Sequence, residues 1–566
     1  MNVTGRQWAA CIAAVAVVAL GLRLWAPGPV TQTTDEVVWL TRSDTFRTAI
    51  RTGDFARATT STGEVATMPG VTTMWAGTLG RAMVRAASEV GLADPPEIMS
   101  ERSPPVLRAA RGVVALGCVV ALALVMWLTG RLLGRRVALV AGILLAVEPF
   151  LVGHSDVLHT DAMVTMFGAV SVLALLAARI PTRPAAEPDD ADPDADAGPP
   201  ATDAAGTGWS LPLVALGGAF AALTLLTKSN GVVTALGGPG LVVLAATVSE
   251  LRAGTLRARD WILGLARAGA VWLGVFLVIG VALWPALWVA PRTQISLLRR
   301  SLLQVGSPNI QFFRGTITTD PGWTFYPVNL GFRLSPWLLV GGGVAVAAVG
   351  AQLARRRPLG PPWVLAVLLS MPAVYLVAIT KASKKFDRYA LPVVPFLAIL
   401  LAVVVVAAVA RARRRWPVPD RAVAGVALVA TALLVAHTAV LAPYAVSYVN
   451  PLVGGQRRAE STILLGWGEG TERLALTVVD REGAGCATTR VAAAQRLRAA
   501  IPCAELSGLS PDVRLYDYVI VYITLKQRAG TKGIEKALRQ HAEVVDRFRI
   551  DGVTYGTLWQ VRDPYE

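Results

Sequence analysis

Charge is scarce in this chain. Only 16% of its 566 residues are Asp, Glu, Lys or Arg, whereas 54% are hydrophobic and the mean hydropathy is +0.52. A soluble chain of this length would need far more charge to cover its surface, so a soluble globular protein is excluded. No small-residue cleavage site follows the first apolar segment, residues 7–26, which therefore reads as a retained helix rather than a removed signal peptide. No basic stripe with interleaved aromatics lies in a soluble region, so the formal net charge of +16 does not mark a nucleic-acid-binding protein. Cysteine is down to four residues. Cys11 and Cys118 fall in apolar segments as packing residues. Cys486 and Cys503 fall in a polar tail, where an oxidising exterior would allow a disulfide.

What is present is long apolar runs. They fall near 7–26, 106–130, 137–153, 161–179, 210–228, 231–249, 264–290, 336–353, 362–380, 389–410 and 422–442, about eleven spanning helices. With the N-terminus in the cytoplasm, every strong arginine cluster lies on that side: Arg131 with Arg135 and Arg136, Arg252 with Arg257 and Arg259, Arg355–Arg357, and Arg411–Arg415. This is the positive-inside pattern of a plasma-membrane protein, and an odd helix count leaves the C-terminal tail outside. Residues 181–209, rich in Pro, Ala and Asp, read as a disordered cytoplasmic loop. The expected division is a membrane domain over 1–442 and an extracytoplasmic domain over 443–566, with a partly helical first outer loop at 27–105. In the tail, strand-like runs at Tyr518–Ile523 and Val553–Val561 alternate with helical patterns at 488–501 and 531–541, which predicts a small α/β domain.

Pumps and channels place ionisable groups inside their helices. Here such groups gather at the outer helix ends, which favours chemistry at the membrane surface. Asp35 and Glu36 follow the first helix; as neighbours they point in different directions and are not expected to share one task. His154, Asp156, His159 and Asp161 lie between the third and fourth segments, with Asp161 placed to cap a helix. A divalent metal is conceivable at these residues, but no recognised ligand spacing is present and none is assigned. Lys228, Lys381, Lys384, Lys385 and Arg388 are cations on the outer side, against the positive-inside trend, and a phosphate at the membrane surface would account for them. Trp284, Trp288, Trp323 and Tyr326 accompany them and read chiefly as interfacial anchors. Together the groups make a workable reaction. A carboxylate takes the proton of an acceptor hydroxyl as it attacks the anomeric carbon of a carrier-linked sugar, while cations hold the departing phosphate.

At these residues the sequence resembles the GT-C glycosyltransferases, closest to the protein O-mannosyltransferase and aminoarabinose-transferase group, family 39. The likeness lies in the Asp35-Glu36 pair, the first-loop motif Met68-Pro69-Gly70-Val71-Thr72-Thr73-Met74-Trp75, the run His159-Thr160-Asp161-Ala162, and Lys384-Lys385-Phe386-Asp387-Arg388-Tyr389-Ala390-Leu391-Pro392. Tyr448–Gly455 and Gly466-Trp467-Gly468-Glu469-Gly470 look like tail segments of bacterial relatives. The resemblance implies Asp35 as general base, with Glu36 and Asp161 shaping the acceptor or donor-sugar site. It further implies that Lys384, Lys385, Arg388 and Lys228 hold the carrier phosphate, with His159 and Tyr389 contributing to substrate binding. Where the family often has His before the first-loop Pro, this chain has Met68, which leaves any acceptor or metal role of that position unfilled. The expected fold is an all-α polytopic membrane protein with a small extracytoplasmic α/β tail. The expected activity is inverting transfer from a polyprenyl-monophosphate sugar to a protein, lipid or polysaccharide hydroxyl in the bilayer of a bacterial cell. The main rival is a lipid-carrier flippase, which would need a polar path through helices that carry little charge. A third reading is a non-catalytic assembly scaffold built around the tail.

Overall fold

The computed structural model describes residues 5–25, 27, 32–59, 69–92, 104–179, 208–303, 309–416, 418–493, 505–528 and 532–565. The chain opens with α1 (Gly5–Leu24), then the first-loop helices α2 (Thr34–Thr52) and α3 (Val71–Glu89). The bundle continues with α4 (Pro104–Leu133), α5 (Arg135–Val147), α6 (Pro149–Ser155), α7 (Asp161–Ala178), α8 (Leu211–Thr227), α9 (Gly238–Ala253) and α10 (Ala258–Leu283). After the short α11 (Ala286–Val289) and α12 (Pro291–Leu303) comes a hairpin of β1 (Gln311–Phe313) and β2 (Thr316–Thr318). Then follow α13 (Phe325–Arg333), α14 (Gly342–Ala354), α15 (Pro362–Thr380), α16 (Val394–Arg415) and α17 (Asp420–Ala439).

Each of the eleven apolar segments is helical. Among the described residues nine helices are long and apolar enough to cross a membrane, or ten if the pair α5 and α6, bent by 62°, is counted as one span. The bend sits at Glu148-Pro149, where proline opens a new helix and Glu148 leaves helical geometry. The remaining segment is α8, apolar throughout its 17 residues. Every residue of α7 is buried, so α7 is the centre of the bundle, whereas α10 and α17 each bury a single residue and form its rim. The acidic 181–209 segment lies, up to residue 207, outside the described residues, as does Met68. Of the four aromatics read as anchors, Trp284 and Tyr326 are instead buried, while Trp288 and Trp323 are exposed.

The tail adds α18 (Gly455–Glu460), α19 (Thr471–Glu482), β3 (Arg490–Ala493), β4 (Glu505–Ser507), β5 (Tyr518–Tyr522), α20 (Ile523–Arg528), α21 (Lys532–His541), β6 (Ala542–Ile550) and β7 (Val553–Val561). Five strands form a mixed sheet in the order β4-β3-β5-β7-β6, with β3 parallel to β4 and β5 and the other pairs antiparallel. Alternation along the strands feeds two cores. Val491, Ala493, Tyr518 and Ile520 pack on Leu474 and Val478 of α19, while Ala492, Val519 and Val521 pack with Leu538 of α21. The helical pattern read over 488–501 is corrected for its start: 490–493 form a central strand, and 494–501 lie outside the described residues. A strand buried on both faces has no polar side to betray its period. Cys486 is disulfide-bonded; Cys503 lies outside the described residues.

A third apolar cluster joins the tail to the membrane domain, with Val449, Ile463, Leu465, Tyr522 and Tyr555 packing around Phe332 of α13. The tail is therefore packed against the helical domain at α13 rather than merely tethered to it.

Candidate active site

Helix order places the starts of α7 and α16 and the end of α8 at one end of the bundle, opposite the arginine clusters between α4 and α5 and between α16 and α17. Residues from these ends converge with Asp35 of α2. Asp161, the first residue of α7, is ion-paired with Lys228 Nζ at the end of α8. Its Oδ2 stands 2.8 Å from His159 Nδ1 and 3.2 Å from Arg388 Nε, at ion-pair distance without hydrogen-bond alignment. Arg388 then reaches Asp35 Oδ2 at 3.1 Å through Nη2, and His159 Nε2 lies 3.6 Å from the same oxygen. The result is one continuous chain of charge: Lys228, Asp161, His159 and Arg388, Asp35. Tyr389 lies beneath it, its ring 4.0 Å from Lys228 Nζ.

Asp35 opens on a cavity of about 460 Å³. Its side chain is 38% exposed, against 1% for Asp161 and 3% for Lys228. Burial works against the charged form of Asp35, but Arg388, then His159, then the Trp467 indole N–H donating at 3.1 Å outweigh it, and the carboxyl is held below its ordinary value. An ionised carboxylate with all three contacts on one oxygen leaves the other free to meet a hydroxyl.

The adjacent Glu36 does not line the cavity. Its carboxylate is fully buried and accepts four hydrogen bonds: from Thr33 N and Leu158 N at 2.8 Å each, and from Arg111 Nε and Nη2 at 2.7 Å each. The first completes a capping box with Thr33 at the start of α2. The rest lock α2 onto α4 and onto the turn before α7. One hundred degrees of helix rotation between neighbours turns one carboxylate to the cavity and the other to the core.

The cations divide in the same way. Arg388 lines the cavity. Lys384 is half-buried beside it, and burial, with Arg388 next, lowers its proton affinity. Lys228, expected to help hold a carrier phosphate, is buried as an ion-pair partner of Asp161, for helices α7 and α8 pack along their length and bring the pair together away from solvent. Lys385 too is buried, 3.7 Å from Asp320, its backbone held by Gln311 and Asn309. Asp161 is the first residue of α7 rather than its cap, which is Thr160. His154 lines the cavity between Phe150 and Trp467, whereas Asp156 faces the Arg111 side, where burial pushes it up to about 7.

The cavity roof comes from the tail: Leu464, Gly466, Trp467 and Glu469, with Thr524 and Arg528 of α20. Trp467 covers Arg388 at 4.5 Å. Its loop depends on backbone that only glycine adopts freely: Gly468 has φ +126°, and a Cβ there would stand 2.6 Å from the Gln32 carbonyl oxygen. The Trp467 carbonyl accepts from Thr34 N at 3.0 Å, binding the roof to the start of α2. On the far wall, Arg333 donates to Asp387 at 2.7 Å. Sequence patterning had no signal for Arg111, Arg333 or Arg528; Trp467 and Glu469 stood only in a tail motif without a role.

A divalent cation does not fit this donor set. Both Asp35 and Asp161 already face cations, and among the described residues no group of three or more His, Cys, Asp or Glu side chains could hold a metal.

No family model matches the sequence, and no curated protein matches it. Solved structures do. The apo oligosaccharyltransferase of Archaeoglobus fulgidus superposes with TM-score 0.50 at 12% identity, covering 96% of this chain and 73% of that one. The same transferase tethered to an acceptor peptide gives 0.50 at 12%, covering 97% and 74%. ArnT from Cupriavidus metallidurans, bound to undecaprenyl phosphate, gives 0.47 at 16%, covering 98% of both chains. At such identity the likeness is one of architecture: this chain shares the fold of the Archaeoglobus fulgidus oligosaccharyltransferase.

Proposed function

We propose that the protein is a membrane glycosyltransferase of the family 39 type, which moves a sugar, with inversion, from a polyprenyl-monophosphate carrier to a hydroxyl acceptor at the extracytoplasmic face of a bacterial plasma membrane. The observation that carries this reading is the pairing of a cavity-facing, ionised Asp35 with Arg388 inside one cavity at the outer helix ends. The positions of the arginine clusters support the orientation, and the fold supports the general class.

In this reading the carrier's tail stays in the bilayer and its phosphate reaches Arg388 and Lys384. The acceptor oxygen attacks the anomeric carbon from the Asp35 side. Its proton passes to Asp35, and the bond between that carbon and the phosphate oxygen breaks with its electron pair going to phosphate. A phosphate leaving group needs no proton, only held positive charge. His159 and Trp467 hold the base in place. Asp161 and Lys228 position Arg388 from below, and Glu36 holds the helix on which Asp35 stands. The test is transfer of labelled sugar from a panel of polyprenyl-phospho-sugars by purified protein in nanodiscs. Asp35→Asn, folded, should lose activity by about a hundredfold or more; transfer at the wild-type rate would remove Asp35 as the base.

A further inference from the structure

Three arginines line the cavity: Arg333, Arg388 and Arg528. Arg333 is bound to Asp387 at 2.7 Å, and Arg388 to Asp35 and Asp161 at 3.1 and 3.2 Å. Arg528 differs. Among the described residues it has no acidic partner within ion-pair distance, and its Nε is buried without a hydrogen-bond partner. The third acid of the lining, Glu469, spends Oε2 on Trp467 N at 2.6 Å and the Tyr522 hydroxyl at 2.7 Å. Arg528 therefore brings a positive charge without an ion-paired acid into a partly enclosed space. Burial and then the neighbouring Arg388 lower its proton affinity, and the more distant Asp35 and Asp387 offset this only in part.

The position is built rather than incidental. Thr524 and Arg528 stand four residues apart on α20, and both face the cavity. Thr524 Oγ1 donates to the Leu465 and Gly466 carbonyls at 3.1 and 3.0 Å. Gln527 accepts from Leu465 N at 2.8 Å and donates to the Glu460 and Ile463 carbonyls. Helix α20 is thus fastened to the loop that carries Trp467. The guanidinium carbons of Arg388 and Arg528 lie 4.2 and 5.9 Å from the ring centre of the same residue, Phe386.

We propose that Arg528 is a further phosphate-binding residue, supplied to the transferase site by the C-terminal α/β domain, and that it takes up the charge of the carrier phosphate as the sugar departs. This rests on the transferase reading above. The donor is a phosphodiester with about one negative charge; the released polyprenyl monophosphate approaches two at neutral pH, its second pKa being near 6. When the glycosidic C–O bond breaks, the electron pair stays on the phosphate, and the acceptor proton goes to Asp35. The added charge appears in the cavity, where Arg388 is already paired with Asp35 and Asp161 and shares the phosphate with Lys384. A cation held there in advance is worth most where water is excluded.

The test is equilibrium binding of undecaprenyl monophosphate, with the uncharged undecaprenol as control, to full-length protein in lipid nanodiscs at pH 8. Arg528→Gln should weaken monophosphate binding about ten- to a hundredfold while leaving undecaprenol binding unchanged, and Arg528→Lys should recover part of the loss. Unchanged monophosphate binding by Arg528→Gln overturns the proposal and leaves the transferase reading to the Asp35 test. Loss of undecaprenol binding as well would make Arg528 a structural residue and equally overturn it. If the wild-type protein binds monophosphate no better than undecaprenol, the transferase reading itself falls.

Discussion

Adjacent carboxylates with opposite orientations allow chemistry and scaffolding to be separated by two single-atom substitutions. In Glu36→Gln the side chain keeps its shape but presents one oxygen and one NH₂ where four N–H groups now converge on two oxygens. At best half of those bonds survive, and the NH₂ group must face donors. The negative charge opposite Arg111 also disappears in a region where Glu36 has no exposure and the Arg111 side chain only 11%. Removing one member of a buried pair typically costs about 3–5 kcal/mol, because the other charge is left desolvated. That is a large share of the stability of an ordinary domain. The expected result is a melting midpoint lower by several degrees or more, read by size-exclusion chromatography of detergent-solubilised protein after a heating series.

Asp35→Asn gives the contrast. Its side chain is 38% exposed, and the contacts on Oδ2 include an indole N–H that an amide oxygen still accepts. Its melting midpoint should stay close to wild type while sugar transfer is lost. A Glu36→Gln protein that melts like wild type yet loses transfer as fully as Asp35→Asn would refute this division, and would return Glu36 to the chemistry.

Trp467→Phe keeps a ring over Arg388 but removes the N–H that fixes Asp35, so transfer should fall about tenfold with melting unchanged; a rate equal to wild type would refute the contact's role. The depressed Asp35 carboxyl stays ionised, and its electrostatic contribution persists, until pH drops below the ordinary carboxylate value near 3.8. The acid limb of kcat/KM due to this base should therefore lie below about pH 4. In Arg388→Gln, which removes the leading stabilising charge, that limb in the residual activity should move upward. Asp156 has the opposite sign: with its carboxyl raised to about 7, native protein holds the proton better than unfolded protein, and stability declines as pH rises from about 4 to 7. Asp156→Asn should accordingly raise the melting midpoint at pH 8 and leave it unchanged near pH 4; equal shifts at both pH values would contradict this.

Much of the architecture was legible because a bilayer imposes a simple rule on sequence: long runs without charge must be helices, and each interruption marks an end. The same rule exposed Asp35, Asp161, Lys228 and Arg388, which stand where apolar runs stop. What the runs could not tell is which charges meet. Lys228 invited a reading as a phosphate cation because the arginine pattern puts its helix end on the outer side, against the positive-inside trend. Only the packing of α7 against α8 shows that Asp161 reaches it first. Asp35 and Glu36 could be predicted to diverge, since neighbours on a helix point apart, but not which would face the cavity; that choice is made by Arg111, on a long apolar helix whose arginines patterning does not tell apart. The roof is harder still. Trp467 lies 432 residues from the aspartate it touches, and Arg528 stands on a short helix whose period says nothing about the membrane domain. What places them is the apolar joint of Leu465, Tyr522 and Tyr555 with Phe332, together with a glycine loop bent under the start of α2. The tail is therefore better understood as the upper half of the site than as an appended domain. The same joint that makes it invisible to local patterning brings its two contributions, an indole on Asp35 and an arginine in the cavity, to the charges below.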